Sequence, residues 1–91
     1  MTEEFDNFLR ASETGDTDTV RRILDLNKSL LNMQDEDGES ALMCASYFGH
    51  PEIVKILIEN GAKRELIDVH GYSALTYAVE NQNIKIIRLL T

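Results

Sequence analysis

The chain has 91 residues and a mass of 10.3 kDa, which is enough for one small domain. Acidic residues outnumber Lys and Arg by 16 to 9. The resulting net charge of −7 disfavours a nucleic-acid or anionic-membrane surface, because both require a basic patch. The hydrophobic content of 43% excludes a chain that is disordered by composition. A single core of this size is only marginally stable, which favours a repeat architecture.

The sequence lacks the usual features of secreted and membrane proteins. Residues 1–7 are acidic rather than basic and apolar, so they do not resemble a secretory leader. No run approaches the roughly 18 apolar residues that span a bilayer. Cys44 is the only cysteine and cannot form a disulfide within the chain. We therefore expect a soluble cytoplasmic protein that binds no membrane.

The chain repeats itself with a period of 33 or 34 residues. A shift of 33 residues places Gly38 on Gly71, and a shift of 34 places Gly15 on Gly49. Such self-similarity is typical of proteins that stack short units around a shared core. We expect a single domain made of three units, near residues 1–34, 35–67 and 68–91.

In the first unit, the pattern predicts helices near residues 5–14 and 18–26, followed by a longer connection at 27–34. Asp16 and Asp18 lie where the second helix begins. A helix N-terminus favours negative charge, so a structural role explains them better than acid–base catalysis does.

The middle unit has the clearest helix signals. Ser40 is a good N-cap for a helix near 40–48. Gly49 ends this helix because glycine accepts a positive φ without strain. Pro51 then begins a second helix near 51–59, where its missing N–H is harmless. This second helix is apolar on nearly every side, so we expect it to be packed on several sides.

The third unit is preceded by an extended excursion at 62–71 that ends in a tight turn. Helices are predicted near 73–81 and 84–90. If nothing follows the last helix, we expect several apolar side chains to face outward. Three interpretations remain open: a poor cap, an excerpt from a longer array, or pairing with a second copy. The side chains expected to face outward are Ile86, Ile87 and Leu90.

The period and the order of these signals resemble the ankyrin repeat. The middle unit carries the similarity best, in DEDGESALMCA at 35–45, GHPEIVKIL at 49–57 and NGA at 60–62. The resemblance covers essentially the whole chain and implies an all-α solenoid of stacked helix-turn-helix units with β-turn tips. The family's Thr-Pro-Leu-His signature is Ser-Ala-Leu-Met at 40–43 and Ser-Ala-Leu-Thr at 73–76. The missing histidine is expected to remove a hydrogen bond between repeats.

The resemblance also implies a non-catalytic protein that grips a protein partner with its turn tips and the concave face of the first helices. The matching positions in the first unit are Glu13 and Thr14. Those in the other two units are Glu36, Asp37, Glu39, Tyr47, Phe48, Val69, His70, Tyr72, Glu80 and Asn81.

The chemistry of two groups supports this interpretation independently. Tyr47 and Phe48 are adjacent on a short helix, so they cannot both face the same core, and at least one is expected to be exposed. Exposed aromatic side chains often anchor partners. Four acidic side chains lie between residues 35 and 39. They form either a solvated tip that aids solubility or a docking point for Lys and Arg of a partner. Asp35 and Asp68 occupy equivalent positions and are predicted to hydrogen-bond the turn backbone.

No pattern in the sequence indicates catalysis, a cofactor or a metal. A calcium loop read from Asp35-x-Asp37-Gly38 would need Met33 and Cys44 as ligands, and neither can bind calcium. No pair among Cys44, His50 and His70 has zinc-ligand spacing. We expect Cys44 to be a small core residue and His50 to cap a turn.

The leading hypothesis is a non-enzymatic interaction module for a partner with a basic, partly apolar epitope. One alternative is self-assembly, with a possible homodimer formed through the open C-terminal unit. Another is a targeting or regulatory segment of a longer protein.

Overall fold

The computed structural model describes residues 2–91, which form α-helices and one 3₁₀ helix but no β-strand. The α-helices form three consecutive helix-turn-helix pairs. Each α-helix begins and ends within two residues of its predicted range. The longer connection predicted at 27–34 contains the 3₁₀ helix Lys28–Leu30. The α-helices are α1 (Glu3–Thr14), α2 (Thr17–Leu26), α3 (Ala41–Phe48), α4 (Pro51–Glu59), α5 (Ala74–Glu80) and α6 (Ile84–Leu90).

The helix ends follow the capping rules on which the predictions were based. Ser40 and Ser73 precede α3 and α5, and their hydroxyls accept hydrogen bonds from backbone amides one turn ahead. Gly49 ends α3 with a φ of 79°. The equivalent position after α5 is Gln82, which adopts a φ of 56° without being glycine. The third pair therefore keeps the backbone shape of the middle pair and accepts some strain there.

The pairs stack side by side, with α3 between α1 and α5, and with α4 between α2 and α6. Ala11, Ala45 and Ala78 are buried on the first helix of each pair, and their small side chains let these helices pack closely. The largest fully buried apolar side chains are Phe5, Phe8, Val20, Leu24, Met43, Ile53, Val54, Leu57 and Ile86.

The prediction that Ile86 and Leu90 face outward is wrong. Both side chains are buried, because α6 packs against α4 and α5 and turns this side toward the middle pair. Ile87 is only partly buried. The strongly exposed apolar side chains of the third pair are instead Val79 and Ile84.

Side chains other than the missing signature histidine form hydrogen bonds between the pairs. His50 Nε2 donates to the carbonyl oxygen of Glu13 at 2.6 Å, so His50 joins the first two pairs rather than capping a turn with its ring. Asn81 Nδ2 donates to the carbonyl oxygen of Tyr47 at 2.7 Å and joins the second pair to the third. The side chains that follow the first helices supply the links that the signature histidine would otherwise provide.

Candidate functional site

A groove of about 390 Å³ runs along α3 between the end of α1 and α5. Its floor combines buried apolar side chains, and its walls combine carboxylates with aromatic rings. The residues that line it are Glu13, Glu39, Met43, Cys44, Tyr47, Phe48 and Tyr77.

The aromatic rings of the groove continue into an unbroken row. The ring centroids of Tyr47 and Phe48 are 4.9 Å apart with an interplanar angle of 81°. Tyr47 and Tyr77 are 5.5 Å apart at 88°, and Tyr77 and Tyr72 are 5.5 Å apart at 77°. These edge-to-face contacts fix the rings in mutually perpendicular orientations. We call Phe48, Tyr47, Tyr77 and Tyr72 the aromatic row.

Tyr47 and Phe48 present much of this row to solvent. Each is 51% exposed, so the expectation of at least one exposed aromatic side chain is confirmed for both. They lie at the C-terminal end of α3, where the helix leaves the core and Gly49 turns the chain. Large aromatic side chains held in place but left open to solvent are suited to packing against a partner.

The groove carries negative charge at two carboxylates, those of Glu13 and Glu39. Within residues 2–91, neither Glu13 nor Glu39 forms an ion pair with a basic side chain. Burial raises the pKa of Glu39, and repulsion from Asp35, Asp37 and Glu13 raises it further. The groove therefore carries concentrated negative charge that a cation would stabilise.

Two aspartates shape the turn tips beside the groove, as predicted. Asp35 Oδ1 accepts hydrogen bonds from the backbone amides of Asp37 and Glu39. Asp68 Oδ1 accepts the equivalent bonds from His70 and Tyr72. These bonds hold each tip in one conformation.

Asp68 is buried and also accepts a hydrogen bond from the hydroxyl of Tyr77. Burial alone would raise the pKa of Asp68. The hydrogen bonds from Tyr77 and from the amides of Tyr72 and His70 outweigh it and lower the pKa. The same bond to Asp68 strongly raises the pKa of Tyr77. The turn tip of the third unit is therefore joined to the aromatic row by the hydrogen bond between Asp68 and Tyr77.

Cys44 lies at the floor of the groove as a buried core residue. Burial and the nearby charges of Glu39, Glu13 and Asp35 raise the pKa of its thiol to about 12. Because the thiolate is the nucleophile, this raised pKa disfavours reaction of Cys44 at neutral pH.

The structure brings only some of the predicted site residues into the groove. Glu13, Glu39, Tyr47 and Phe48 line it directly. Sequence reasoning missed Tyr77, which corresponds to the core residue Cys44 one repeat earlier and carries no signal of exposure by itself. The other predicted residues do not line the groove. They lie at the end of α1, on the turn tips and at the end of α5, and they are Thr14, Glu36, Asp37, Val69, His70, Tyr72, Glu80 and Asn81.

Two larger depressions elsewhere have linings of mixed charge, so they do not favour a partner of one sign of charge. One, of about 580 Å³, lies along α1 and α2 and mixes the acidic Glu3 and Glu4 with the basic Arg10 and Arg22. The other, of about 610 Å³, is bordered by charges of both signs and has no aromatic wall apart from the ring of His50. Neither repeats the single sign of charge found beside the aromatic row.

Other kinds of site receive no support from the described residues. Among residues 2–91, no cluster of three or more His, Cys, Asp and Glu side chains is arranged to hold a metal ion. Over the same residues, none of the helices combines the length and the apolar character needed to cross a membrane.

Three stacked helix-turn-helix units with a groove along their first helices define a helical repeat protein. A family model described as ankyrin repeats matches residues 8–91, in three copies. The chain belongs to the ankyrin repeat family. Ankyrin repeats are generally protein–protein interaction modules, and the family is typically non-catalytic.

The chain is similar to short parts of several longer proteins. It is 37% identical over 76 residues to a transient receptor potential cation channel subfamily A member 1 homolog of Caenorhabditis elegans, a match over 84% of this chain and 6% of that protein. It is 43% identical over 65 residues to the NAD-capped RNA hydrolase NUDT12 of Homo sapiens, over 71% and 14%. It is 34% identical over 84 residues to the BTB/POZ domain-containing protein 3 of Schizosaccharomyces pombe, over 92% and 16%.

Proposed function

We propose that this chain is a non-catalytic recognition module that binds a protein partner with a basic, partly apolar epitope. The observation that carries the proposal is the groove, in which carboxylates with no ion-pair partner among residues 2–91 lie beside exposed aromatic rings. Glu36 and Asp37, on the turn tip at 35–39, extend the same negative charge.

The charges would mainly guide the encounter with the partner. Opposite charges speed diffusional association, and this effect weakens as salt screens them. The net charge of −7 and the acidic tip at 35–39 favour a basic partner over an acidic one.

The aromatic side chains would supply most of the binding free energy. Tyr47 and Phe48 are half exposed and held by edge-to-face contacts, so little conformational entropy is lost when a partner covers them. Hot spots in protein interfaces are enriched in such side chains.

A paired capture experiment tests the site. The first variant carries Tyr47→Ala with Glu39→Lys, and the control carries Leu26→Ala with Glu59→Lys. Each removes one exposed hydrophobic side chain and reverses one charge, but Leu26 and Glu59 lie outside the groove. Both variants are first compared with the wild type by circular dichroism and thermal melting.

Wild-type and variant baits are then incubated with cell lysate, and the bound proteins are quantified by mass spectrometry. We expect a set of basic proteins that the control retains and the groove variant loses. Binding of those proteins to purified wild-type chain should also weaken as salt increases. Equal recovery by both variants would contradict the proposed site.

Self-assembly through the third pair is a second candidate, favoured by one specific comparison. Val79 occupies the position of Ser46 one repeat later; Ser46 is 0% exposed and Val79 is 54% exposed. Ile84 adds a second exposed apolar side chain nearby in sequence. The third pair thus presents apolar surface that a further layer would cover.

The test of self-assembly must avoid buried side chains. Substituting Ile86 or Leu90 with Glu would unfold the third pair, because both are core residues. Val79→Glu changes an exposed position instead. Sedimentation equilibrium should show a concentration-dependent dimer for the wild type and a monomer for Val79→Glu, with Glu80→Gln as a control. A wild-type chain that stays monomeric at all concentrations would exclude this candidate.

A targeting or regulatory segment of a longer protein is the third candidate. It is favoured by the small share, 6% to 16%, that the matched region occupies in the three relatives described above. Sequencing of the transcript tests it. An open reading frame that continues past Thr91 into another domain supports this candidate, and a stop codon directly after Thr91 contradicts it for any domain on that side.

A further inference from the structure

We propose that the groove binds the guanidinium group of an arginine side chain of the partner. This proposal deepens the recognition function proposed above and rests on it. The arginine side chain would form the centre of the epitope. Its guanidinium charge would lie between Glu13 and Glu39, and the guanidinium plane would lie against the aromatic row.

The arrangement of the rings suits a flat cation. Tyr47 stands nearly perpendicular to Phe48 on one side and to Tyr77 on the other, at interplanar angles of 81° and 88°. In an edge-to-face pair, the ring that contributes its edge has neither π face covered by its partner, so a cation can lie over one of those faces. Cations are attracted to an aromatic face when they lie within about 6 Å of its centroid.

The carboxylates make the same groove selective for positive charge. Glu13 and Glu39 line it from two different helix pairs, and no basic side chain of residues 2–91 is paired with either. Burial raises the pKa of Glu39 most, and repulsion from Asp35, Asp37, Glu13 and Asp68 raises it further. A bound cation would relieve this repulsion, whereas a neutral side chain of the same shape would not.

Arginine fits these features better than lysine does. Its guanidinium is planar, stacks on aromatic rings and can donate several hydrogen bonds to carboxylates at once. It is also less strongly hydrated than an ammonium group, so its transfer into a partly enclosed groove costs less. The apolar floor at Met43 and Cys44 can cover the methylene stem of the side chain.

The size of the groove is consistent with one inserted side chain. Its volume of about 390 Å³ is at the lower end of the range for small-ligand pockets. The surrounding turn tips and Phe48 remain available for the rest of the epitope. The groove would therefore hold a single anchor within a larger contact surface.

An NMR titration with three capped amino acids tests the proposal. The probes are N-acetyl-arginine methylamide, its lysine counterpart and its citrulline counterpart, the last of which keeps the arginine shape without the charge. Ionic strength is held constant, and the ring resonances of Tyr47 and Tyr77 are followed. We expect saturable shifts with arginine, weaker binding of lysine and no saturable shift with citrulline.

A conservative variant tests the contribution of the Glu39 carboxylate to arginine binding. Glu39→Gln keeps the shape of the side chain, and its backbone bonds to Asp35 do not involve the carboxylate. We expect it to weaken arginine binding about three- to tenfold, since it removes one charge-assisted hydrogen bond in a groove that is partly open to solvent. Glu59→Gln, which lies outside the groove, should leave binding unchanged.

The possible outcomes separate this inference from the function on which it rests. Equal binding of arginine and citrulline, or no saturable binding of arginine, overturns the guanidinium site. If the groove variant of the capture experiment nevertheless loses partners, protein recognition by this surface stands without an arginine anchor. If arginine binds with the expected selectivity while capture is equal for both variants, the guanidinium site is supported and the proposed protein-binding function is contradicted.

Discussion

The hydroxyl of Tyr77 donates a hydrogen bond to the buried carboxylate of Asp68, nine residues earlier in the chain. Tyr77 belongs to α5 and to the aromatic row, whereas Asp68 holds the turn tip that precedes α5. The bond therefore holds the turn tip of the third unit against the Tyr77 ring, which lines the groove. The same carboxylate keeps its two backbone bonds to the tip, so the tip does not depend on Tyr77 alone.

Replacing Tyr77 with Phe should lower the free energy of unfolding by about 1–2 kcal/mol. The substitution removes one hydrogen bond to a charged group but keeps the ring in the row. Urea unfolding followed by circular dichroism measures the change. Tyr72→Phe is the matched control, because no hydrogen bond of the Tyr72 hydroxyl occurs within residues 2–91. Equal losses in the two variants would show that the bond to Asp68 contributes nothing specific.

The contribution of the Asp68–Tyr77 pair to stability should decrease at both low and high pH. The pKa of Asp68 is lowered by folding from its ordinary value of 3.8, so its contribution is present above about pH 4 and is lost as the pH falls through the folded pKa. The pKa of Tyr77 is raised by folding from 10.0, so that contribution is complete below pH 10 and is lost as the pH rises beyond it.

The difference in unfolding free energy between wild type and Tyr77→Phe should therefore be largest near neutral pH. It should narrow below about pH 4 and above about pH 10. Urea unfolding of both proteins at a series of pH values measures it. A difference that stays constant from pH 3 to pH 11 would show that neither group titrates with folding.

Most of the fold could be predicted from the sequence because its signals are local. Ser40, Gly49 and Pro51 specify where helices begin and end through their own backbone and side-chain chemistry. The fixed period then repeats the same local solution along the chain. The contacts between pairs, by contrast, depend on which side of α6 faces the middle pair, so the exposure of Ile86 and Leu90 was mispredicted.

The candidate site was only partly predictable, because some of its features are local and others depend on contacts between residues that are distant in sequence. The exposure of Tyr47 and Phe48 follows from the geometry of one helix. The role of Tyr77 does not, since its contacts with Tyr47 and Asp68 join residues that the period alone does not place together. His50 is a similar case, because its ring reaches a carbonyl of the preceding pair.

Leu57→Ala should cost about 2–5 kcal/mol of stability, because Leu57 is fully buried where the helix pairs meet and the change leaves a cavity. Leu26→Ala should cost less than about 0.5 kcal/mol, since Leu26 is 75% exposed. Denaturant unfolding of the two variants gives both values. A small loss for Leu57→Ala would contradict the packing of α4 in the core.

Gln82→Gly should stabilise the chain by about 0.5–1 kcal/mol. Gln82 has a φ of 56°, a region in which glycine avoids the strain that other residues suffer. The reverse change, Gly49→Gln at the equivalent position with a φ of 79°, should destabilise the chain by a similar amount or more. Thermal melting of both variants is sufficient, and a change of the same sign in both would exclude backbone strain as the cause.

Gly38→Ala should be more destabilising than Gly71→Ala, although the two glycines occupy equivalent positions. Both have positive φ, at 79° and 82°, so alanine costs about 1–2 kcal/mol of backbone strain at either site. At Gly38, an added Cβ would also lie 2.8 Å from the Cα of Asp68, in the backbone of the next turn tip, and the two tips would have to separate.

At Gly71 nothing lies within 4 Å of the same atom, because no further tip follows it among residues 2–91. The excess loss at Gly38 therefore measures how closely consecutive tips pack, including the hydrogen bond from the Val69 amide to the Asp37 carbonyl at 2.9 Å. Urea unfolding of the two variants measures this excess directly. Equal losses would mean that the tips are held by their own aspartates and not by each other.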